Sequence, residues 1–145
     1  MKYRILAALL IMTALVNILS GCGSNKGTCS MTVTVDYGGY DEGGMDLGSG
    51  QFFHHFSVRS GMVFYELDHG DWTDSKKDTN GSRICIELFK VTEVTPDHVT
   101  IRKGDKDITV PYDQSTYIEP GVYVTDAIGY DYHISFTDYS EGEGD

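Results

Sequence analysis

The chain has 145 residues, 40% of them hydrophobic, with 22 acidic and 11 basic side chains and a formal net charge of −11. This length suits one domain with a hydrophobic core. The charge argues against nucleic acid as a partner, because phosphate backbones attract clusters of lysine and arginine. An anionic bilayer surface would repel the folded domain as well, so any membrane attachment must be covalent or hydrophobic.

The amino terminus has the layout of a secretory signal. Lys2 and Arg4 give it a positive start, and residues 5–16 are nearly all apolar. This apolar run is shorter than the about 20 residues that a membrane-spanning helix needs. Small residues then precede Cys22 in the sequence LSGC, which resembles the lipobox of bacterial lipoproteins. The resemblance covers residues 1–22 only.

The resemblance implies that residues 1–21 are removed and that the sulfur of Cys22 receives a diacylglyceryl group. Two acyl chains anchor a protein stably, whereas one binds only marginally. The expected location is the extracytoplasmic face of the cell membrane, and the outer membrane is allowed because Gly23, not Asp, follows the cysteine. The alternative is an ordinary secretory signal whose cysteine later forms a disulfide.

The mature chain then divides into a lipidated cysteine with a flexible tether (22–30), one all-β domain (31–139) and an acidic tail (140–145). Losing the two basic residues of the signal lowers the formal charge of the chain from −11 to −13. Two cysteines remain, Cys29 and Cys85, and an even number in an exported protein predicts a disulfide between them. It would stabilise the domain by about 4 kcal/mol in the chain-entropy model. The alternative is a free Cys29 and a Cys85 that packs as a small apolar residue.

After the signal, apolar residues alternate or cluster in short runs, as strands do. We expect a small antiparallel β-sandwich or barrel of about seven or eight strands. Residues 83–95 have apolar residues on both faces, which places this strand in the middle of a sheet. Pro111 cannot donate to a ladder and indicates an edge strand. The predicted strands are 31–37, 51–58, 62–68, 83–95, 98–102, 107–112, 122–126 and 131–137.

Turns are predicted from their glycines and prolines. The segment Arg59-Ser60-Gly61 fits a three-residue hairpin loop with glycine at the left-handed position. Pro96-Asp97 and residues 103–106 are two further turns.

Two long loops, 38–50 and 69–82, are rich in glycine and acidic residues, and loops of this length are functional or disordered. Trp72 lies in the second loop and could anchor a sugar or a partner protein; the alternative is that it folds back as the loop's own small core. Calcium bound by acids of both loops is a further alternative. The predicted ligand-binding residues are Trp72, Asp71, Asp74, Asp41 and Asp46.

No catalytic or metal-ligating residues are predicted. His54 and His55 are adjacent in a strand, so they point to opposite faces and cannot share one metal. Zinc-type Cys/His spacing and the common hydrolase and nucleotide-binding motifs are missing from the sequence. We therefore expect no enzyme and no cofactor.

The predicted function is a lipid-anchored, non-catalytic binding module for a protein, a glycan or an envelope component. One alternative is an accessory lipoprotein that holds an envelope complex through a sheet edge at 107–112. The lesser alternative is a small hydrolase that uses loop carboxylates.

Overall fold

The computed structural model describes residues 27–40, 42–67, 70–76, 85–121 and 128–142. These residues form two antiparallel sheets of four and five strands, consistent with the predicted small all-β sandwich. The predicted lipidation site Cys22, the predicted strand 122–126 and residues 143–145 of the predicted acidic tail lie outside the described residues. The described strands are β1 Thr28–Tyr40, β2 Asp46–Arg59, β3 Val63–Leu67, β4 Trp72–Thr73, β5 Cys85–Val94, β6 His98–Lys103, β7 Lys106–Pro111, β8 Ser115–Ile118 and β9 Ile128–Ser140.

The four-stranded sheet has the order β2-β1-β9-β8, and the five-stranded sheet has the order β4-β3-β5-β6-β7. The two long central strands of the first sheet, β1 and β9, pair residue by residue from Ser30↔Thr137 to Gly39↔Ile128. On each of them the residues that point between the sheets are buried and apolar. These residues are Met31, Val33 and Val35 on β1, and Tyr132, Ile134 and Phe136 on β9.

The five-stranded sheet closes the core from the other side. Phe64 and Phe89 are cross-strand partners on β3 and β5, and their ring centroids lie 5.3 Å apart. Phe56 of β2 reaches the same cluster, with its ring 5.1 Å from that of Phe64. Because each sheet buries one face against the other, the opposite faces are left for solvent or ligands.

Several local expectations are confirmed. The strand at 85–94 is the central strand of its sheet, and the strand that contains Pro111 is an edge. His54 and His55 point to opposite faces: His54 bonds the carbonyl of Gly70 inside, and His55 pairs with Thr32 on the exposed side. The turn at Pro96-Asp97 joins β5 to β6, and Gly104 has the positive φ of 62° that the β6–β7 turn requires.

Two expectations about the strands need correction. The predicted loop 38–50 is mostly strand, because β1 and β2 extend into it and leave only a short turn. Residues 115–118 form a strand that was not predicted; it is only four residues long and gains its place by pairing with β9.

The turn at Arg59-Ser60-Gly61 does not make a hairpin. Gly61 has the predicted left-handed conformation, with a φ of 93°. However, β2 pairs with β1, whereas β3 pairs with β4 and β5, so the turn carries the chain from one sheet to the other. Gly61 N donates to Val91 O and Val91 N donates to Met62 O, both at 2.8 Å, which fixes the crossing against β5.

The predicted disulfide is wrong, since Cys29 and Cys85 are both free thiols. Cys29 is buried near the start of β1, where Gly27 packs against the carbonyl of Val94. Cys85 begins β5 nine residues before Val94, which is about 30 Å away along an extended strand. A disulfide requires Cα atoms within about 7 Å, so the two thiols are at opposite ends of the sandwich.

Candidate functional site

The outer face of the four-stranded sheet carries an unusual combination of polar and aromatic side chains. On β2 the exposed residues alternate with half-buried ones that face the core. Phe53 and Tyr117 are 53% and 48% exposed, although the sandwich has an apolar core available to such rings. One residue from each of the four strands forms a row of direct cross-strand partners on this face. The order of the row is Phe53, Thr34, His133 and Tyr117. With neighbouring strands about 4.8 Å apart, the two end positions are about 14 Å apart.

Two carboxylates lie side by side in the next row. Asp36 and Asp131 are direct cross-strand partners on β1 and β9. Gln51 Nε2 donates a 2.7 Å hydrogen bond to Asp36 Oδ1, and His133 Nδ1 lies 3.9 Å from Asp36 Oδ2. Tyr117 OH donates a 3.3 Å hydrogen bond to Asp131 Oδ1. Like charges directly opposite each other destabilise a sheet, so the pair favours a role other than folding.

The phenol of Tyr117 is held in its donor form. Desolvation of the phenol, followed by the negative charge of Asp131, raises the pKa of Tyr117. A phenol is protonated at neutral pH even without this shift, and its hydrogen bond orients the carboxylate of Asp131. Its ring also packs edge-on against the imidazole of His133, with centroids 5.5 Å apart, which fixes the ring on the sheet.

An open depression of about 350 Å³ adjoins the two carboxylates. Gly38 and Gly129 are cross-strand partners, so two backbones without side chains face each other. Asp36 and Gly38 on β1, and Gly129 and Asp131 on β9, are each two residues apart, so these four lining residues share the outer face. Its lining residues are Asp36, Tyr37, Gly38, Gly129, Tyr130 and Asp131.

The outer face therefore offers three kinds of contact to a ligand. The exposed rings of Phe53 and Tyr117 present apolar surface, and the carboxylates accept hydrogen bonds. Thr34 and His133 add polar atoms between the rings. Such a surface can bind a molecule that carries both hydroxyl groups and apolar faces.

The structure buries Trp72, which corrects its predicted role as an exposed anchor. Trp72 is 6% exposed in the short strand β4, and its ring lies 5.2 Å from Tyr132 and 5.9 Å from Phe89. It thus packs into the main core, and not merely within its own loop as in the alternative interpretation. Its indole Nε1 is buried, and by distance and angle no described residue accepts a hydrogen bond from it.

The predicted acidic residues are not gathered into one site. Asp46 lies at the start of β2 and caps its own turn, since its Oδ1 accepts a 2.8 Å hydrogen bond from Gly48 N. Asp71 and Asp74 are exposed on either side of β4, and Asp41 lies outside the described residues. Among the described residues no group of three or more His, Cys, Asp or Glu side chains is arranged to hold a metal ion.

The outer face was not predicted as a site, because all the predicted ligand-binding residues lie in the two long loops. A signal was nonetheless present in the segment QFFHHFSV, where alternation puts Phe52 and His54 on one side and Phe53 and His55 on the other. One side must be the core, so an aromatic residue had to stand on the solvent side as well.

Comparison with known proteins adds no relative: no protein-family model, curated protein or solved structure matches the chain. None of the residues that the structure describes belongs to a helix of the length and apolarity needed to cross a bilayer.

Proposed function

We propose that the mature chain is a lipid-anchored, extracytoplasmic binding module whose outer sheet face binds a neutral glycan. The proposal of a glycan rests on two half-exposed rings, Phe53 and Tyr117, on the same face as two carboxylates. The carboxylates of Asp36 and Asp131 are fixed by hydrogen bonds between and beside these rings. The observation that carries the anchor is the lipobox-like sequence before Cys22.

A glycan matches the chemistry of the face better than a peptide or an apolar ligand does. Sugar rings have C–H faces that pack on aromatic rings. They also have hydroxyl groups that donate hydrogen bonds to carboxylates. The row from Phe53 to Tyr117 spans about 14 Å, so it would take several sugar units in line. The depression over Gly38 and Gly129 adds room for a substituent beside the carboxylates.

The charge of the face favours a neutral ligand. Asp36 and Asp131 stand at its centre, and the chain as a whole has a net charge of −11. Uronic acids, sulfated sugars and phosphate-bearing polymers would be repelled at short range.

A protein partner is less suited to this face. Aspartate is depleted in the buried centres of protein interfaces, because desolvating an unpaired carboxylate is costly. Here two aspartates occupy the centre, and the rings stand at the sides. A hydroxyl-rich ligand that binds through water leaves the two carboxylates hydrated, so binding it has a smaller desolvation cost.

The proposal is tested by titrating the full chain, in detergent micelles, with cellotriose, maltotriose and chitotriose in a calorimeter. We expect at least one of these to bind and an oligogalacturonate not to bind. Phe53→Ala and Tyr117→Ala should each weaken binding by about tenfold or more, as for central aromatic residues of other interfaces. Met45→Ala is the matched control, because Met45 is a 69% exposed apolar residue just before the start of β2, eight positions from Phe53.

A variant of the depression sharpens the same test. A Cβ atom added at Gly129 would meet its nearest atom, the carbonyl oxygen of Gly38, at an ordinary 3.8 Å. Gly129→Val should therefore fold normally, since valine suits strands, and should lower the affinity by filling the depression. Unchanged affinity in Gly129→Val, Phe53→Ala and Tyr117→Ala would exclude this face as the binding site.

The hydrolase alternative is tested in the same incubations. The cross-strand carboxylates of Asp36 and Asp131 are an acidic pair that a glycosidase mechanism could use. We expect chromatography to recover the oligosaccharides intact. If the parent chain cleaves an oligosaccharide and Asp36→Asn does not, the protein is an enzyme and not a binding module.

A further inference from the structure

The two sheets differ in how their edges are protected against strand pairing. In the five-stranded sheet the edge strand β7 carries Lys106, Asp107 and Pro111, all of which discourage pairing. β8 and β4, the other short edges, have four and two residues. β2 has fourteen residues and carries no charged side chain and no proline between Asp46 and Arg59.

The free edge of β2 is long and regular. Its register with β1 runs without a break from Thr28↔Arg59 to Gly38↔Ser49. In an antiparallel strand every second residue directs its N–H and C=O away from the neighbour. Within the described part of the chain no strand pairs with this outer edge of β2, so these groups form an open template for another strand.

We propose that β2 pairs in antiparallel fashion with β2 of a second copy of this chain, about a two-fold axis at His54. The two four-stranded sheets would then join into one eight-stranded sheet. In this register Phe52 faces Phe56 of the second copy, and Phe53 faces His55 of the second copy. Aromatic cross-strand pairs of this kind stabilise antiparallel sheets.

The edge of β2 is a place where a second copy meets no charge repulsion. Two molecules with a net charge of −11 repel each other over most of their surfaces. Along β2 the proposed register places Arg59 opposite Ser49 of the second copy and puts Asp46 beyond the paired region. No like charges face each other, so this strand is a place where two copies can meet closely. The proposal does not depend on the ligand of the outer face.

Cross-linking tests the register directly. In an antiparallel pair opposite Cα atoms lie about 4.5–5.5 Å apart, within the range that a disulfide bridges. His54→Cys, made in a Cys85→Ser background, should therefore give a covalent dimer on a non-reducing gel after mild oxidation of membranes that contain the full chain. Ser57→Cys is the matched control, because position 57 faces Gln51 of the second copy. The two introduced thiols would be about 20 Å apart along the strand.

A second pair of variants tests the same dimer without a new cysteine, in case His54→Cys folds poorly. Ser57→Lys puts a charge on the edge strand, and Thr137→Lys puts the same charge on the same face at the interior strand β9; both sites are exposed. Sedimentation in detergent should show a dimer for the parent chain and Thr137→Lys and a monomer for Ser57→Lys. A monomeric parent chain, or equal cross-linking at positions 54 and 57, would overturn the proposal.

Discussion

Tyr132 OH on β9 donates a 2.5 Å hydrogen bond to Glu66 Oε1 on β3, and this bond joins the two sheets inside an apolar core. Glu66 is 2% exposed, and its other oxygen accepts a 2.7 Å hydrogen bond from Gly121 N. A buried carboxylate is tolerated only when its oxygens are bonded. The pair therefore ties β3, β9 and the segment after β8 to one another.

Removal of the phenol hydroxyl should destabilise the fold. Tyr132→Phe preserves the ring and its packing against Trp72 but leaves Glu66, among the described residues, with the Gly121 amide as its one hydrogen-bond donor. We expect the free energy of unfolding to fall by about 1–3 kcal/mol, the usual cost of an unsatisfied buried polar group. Urea unfolding measures this. Tyr117→Phe, which removes an exposed hydroxyl, is the control and should change stability by less than about 0.5 kcal/mol. Equal stabilities for the two variants would show that the Glu66 contact is not important for folding.

Stability should also decline in alkali. Burial, followed by the hydrogen bond to Glu66, raises the pKa of Tyr132 above its ordinary value of 10.0. Burial likewise raises the pKa of Tyr112, whose hydroxyl donates to Thr95 O, and the pKa of the Cys29 thiol above 9.0. All three groups ionise more readily in the unfolded chain. Their contribution is therefore complete below about pH 9 and is lost as the pH rises toward the folded values.

Urea unfolding at about pH 8 and about pH 11 checks this expectation. The free energy of unfolding should fall by about 1.4 kcal/mol per pH unit for each group that ionises only after unfolding. Tyr132→Phe should show a shallower decline than the parent chain. A stability that stays level up to about pH 11 would mean that these groups titrate in the folded state as they do in water.

The thiols of Cys29 and Cys85 should differ in how fast they react. Cys85 is exposed, whereas Cys29 is buried and its pKa is raised by burial. A colorimetric thiol reagent should label Cys85 of the folded chain rapidly and Cys29 only after denaturation. Cys85→Ser should abolish the rapid phase. If neither thiol reacts until a reductant is added, the two cysteines form the disulfide that the structure lacks.

The alternation of residues predicted most of the fold. The segment MTVTVDY is polar at every second position, and its valines are buried in β1. The pairing of strands was harder to predict, because the turn at Gly61 has the same local chemistry whether it makes a hairpin or crosses between sheets. Only the contacts of β3 with β5, far along the chain, decide between the two.

The candidate site could not be predicted for the same reason. Its row joins Phe53, Thr34, His133 and Tyr117, which are distant in sequence and meet only through three strand registers. Trp72 shows the opposite error: its acidic neighbours suggested exposure, but Phe89 and Tyr132 supply a core that takes the ring. Neither the four-residue row nor the burial of Trp72 can be predicted from the composition of the neighbouring sequence.

Lipid attachment is tested by metabolic labelling. We expect cells that express the full chain to incorporate a clickable palmitate analogue into it, and Cys22→Ala to abolish the label, because the residues before Cys22 resemble a lipobox and the proposed acceptor is the Cys22 sulfur. Cys85→Ser is the control and should be labelled normally. An unlabelled parent chain that is recovered outside the membrane fraction would contradict the anchor.

The location of the binding site is tested most directly by nuclear magnetic resonance, with the chain titrated with whichever neutral trisaccharide binds in the calorimeter. The account predicts that the amide signals of Thr34, Asp36, Asp131 and His133 shift with rising ligand concentration, while those of Ile101 and Val110 in the opposite sheet stay in place. Shifts confined to the region of Asp71 and Asp74, or to the five-stranded sheet, would contradict the assignment of the outer face of the four-stranded sheet as the glycan site.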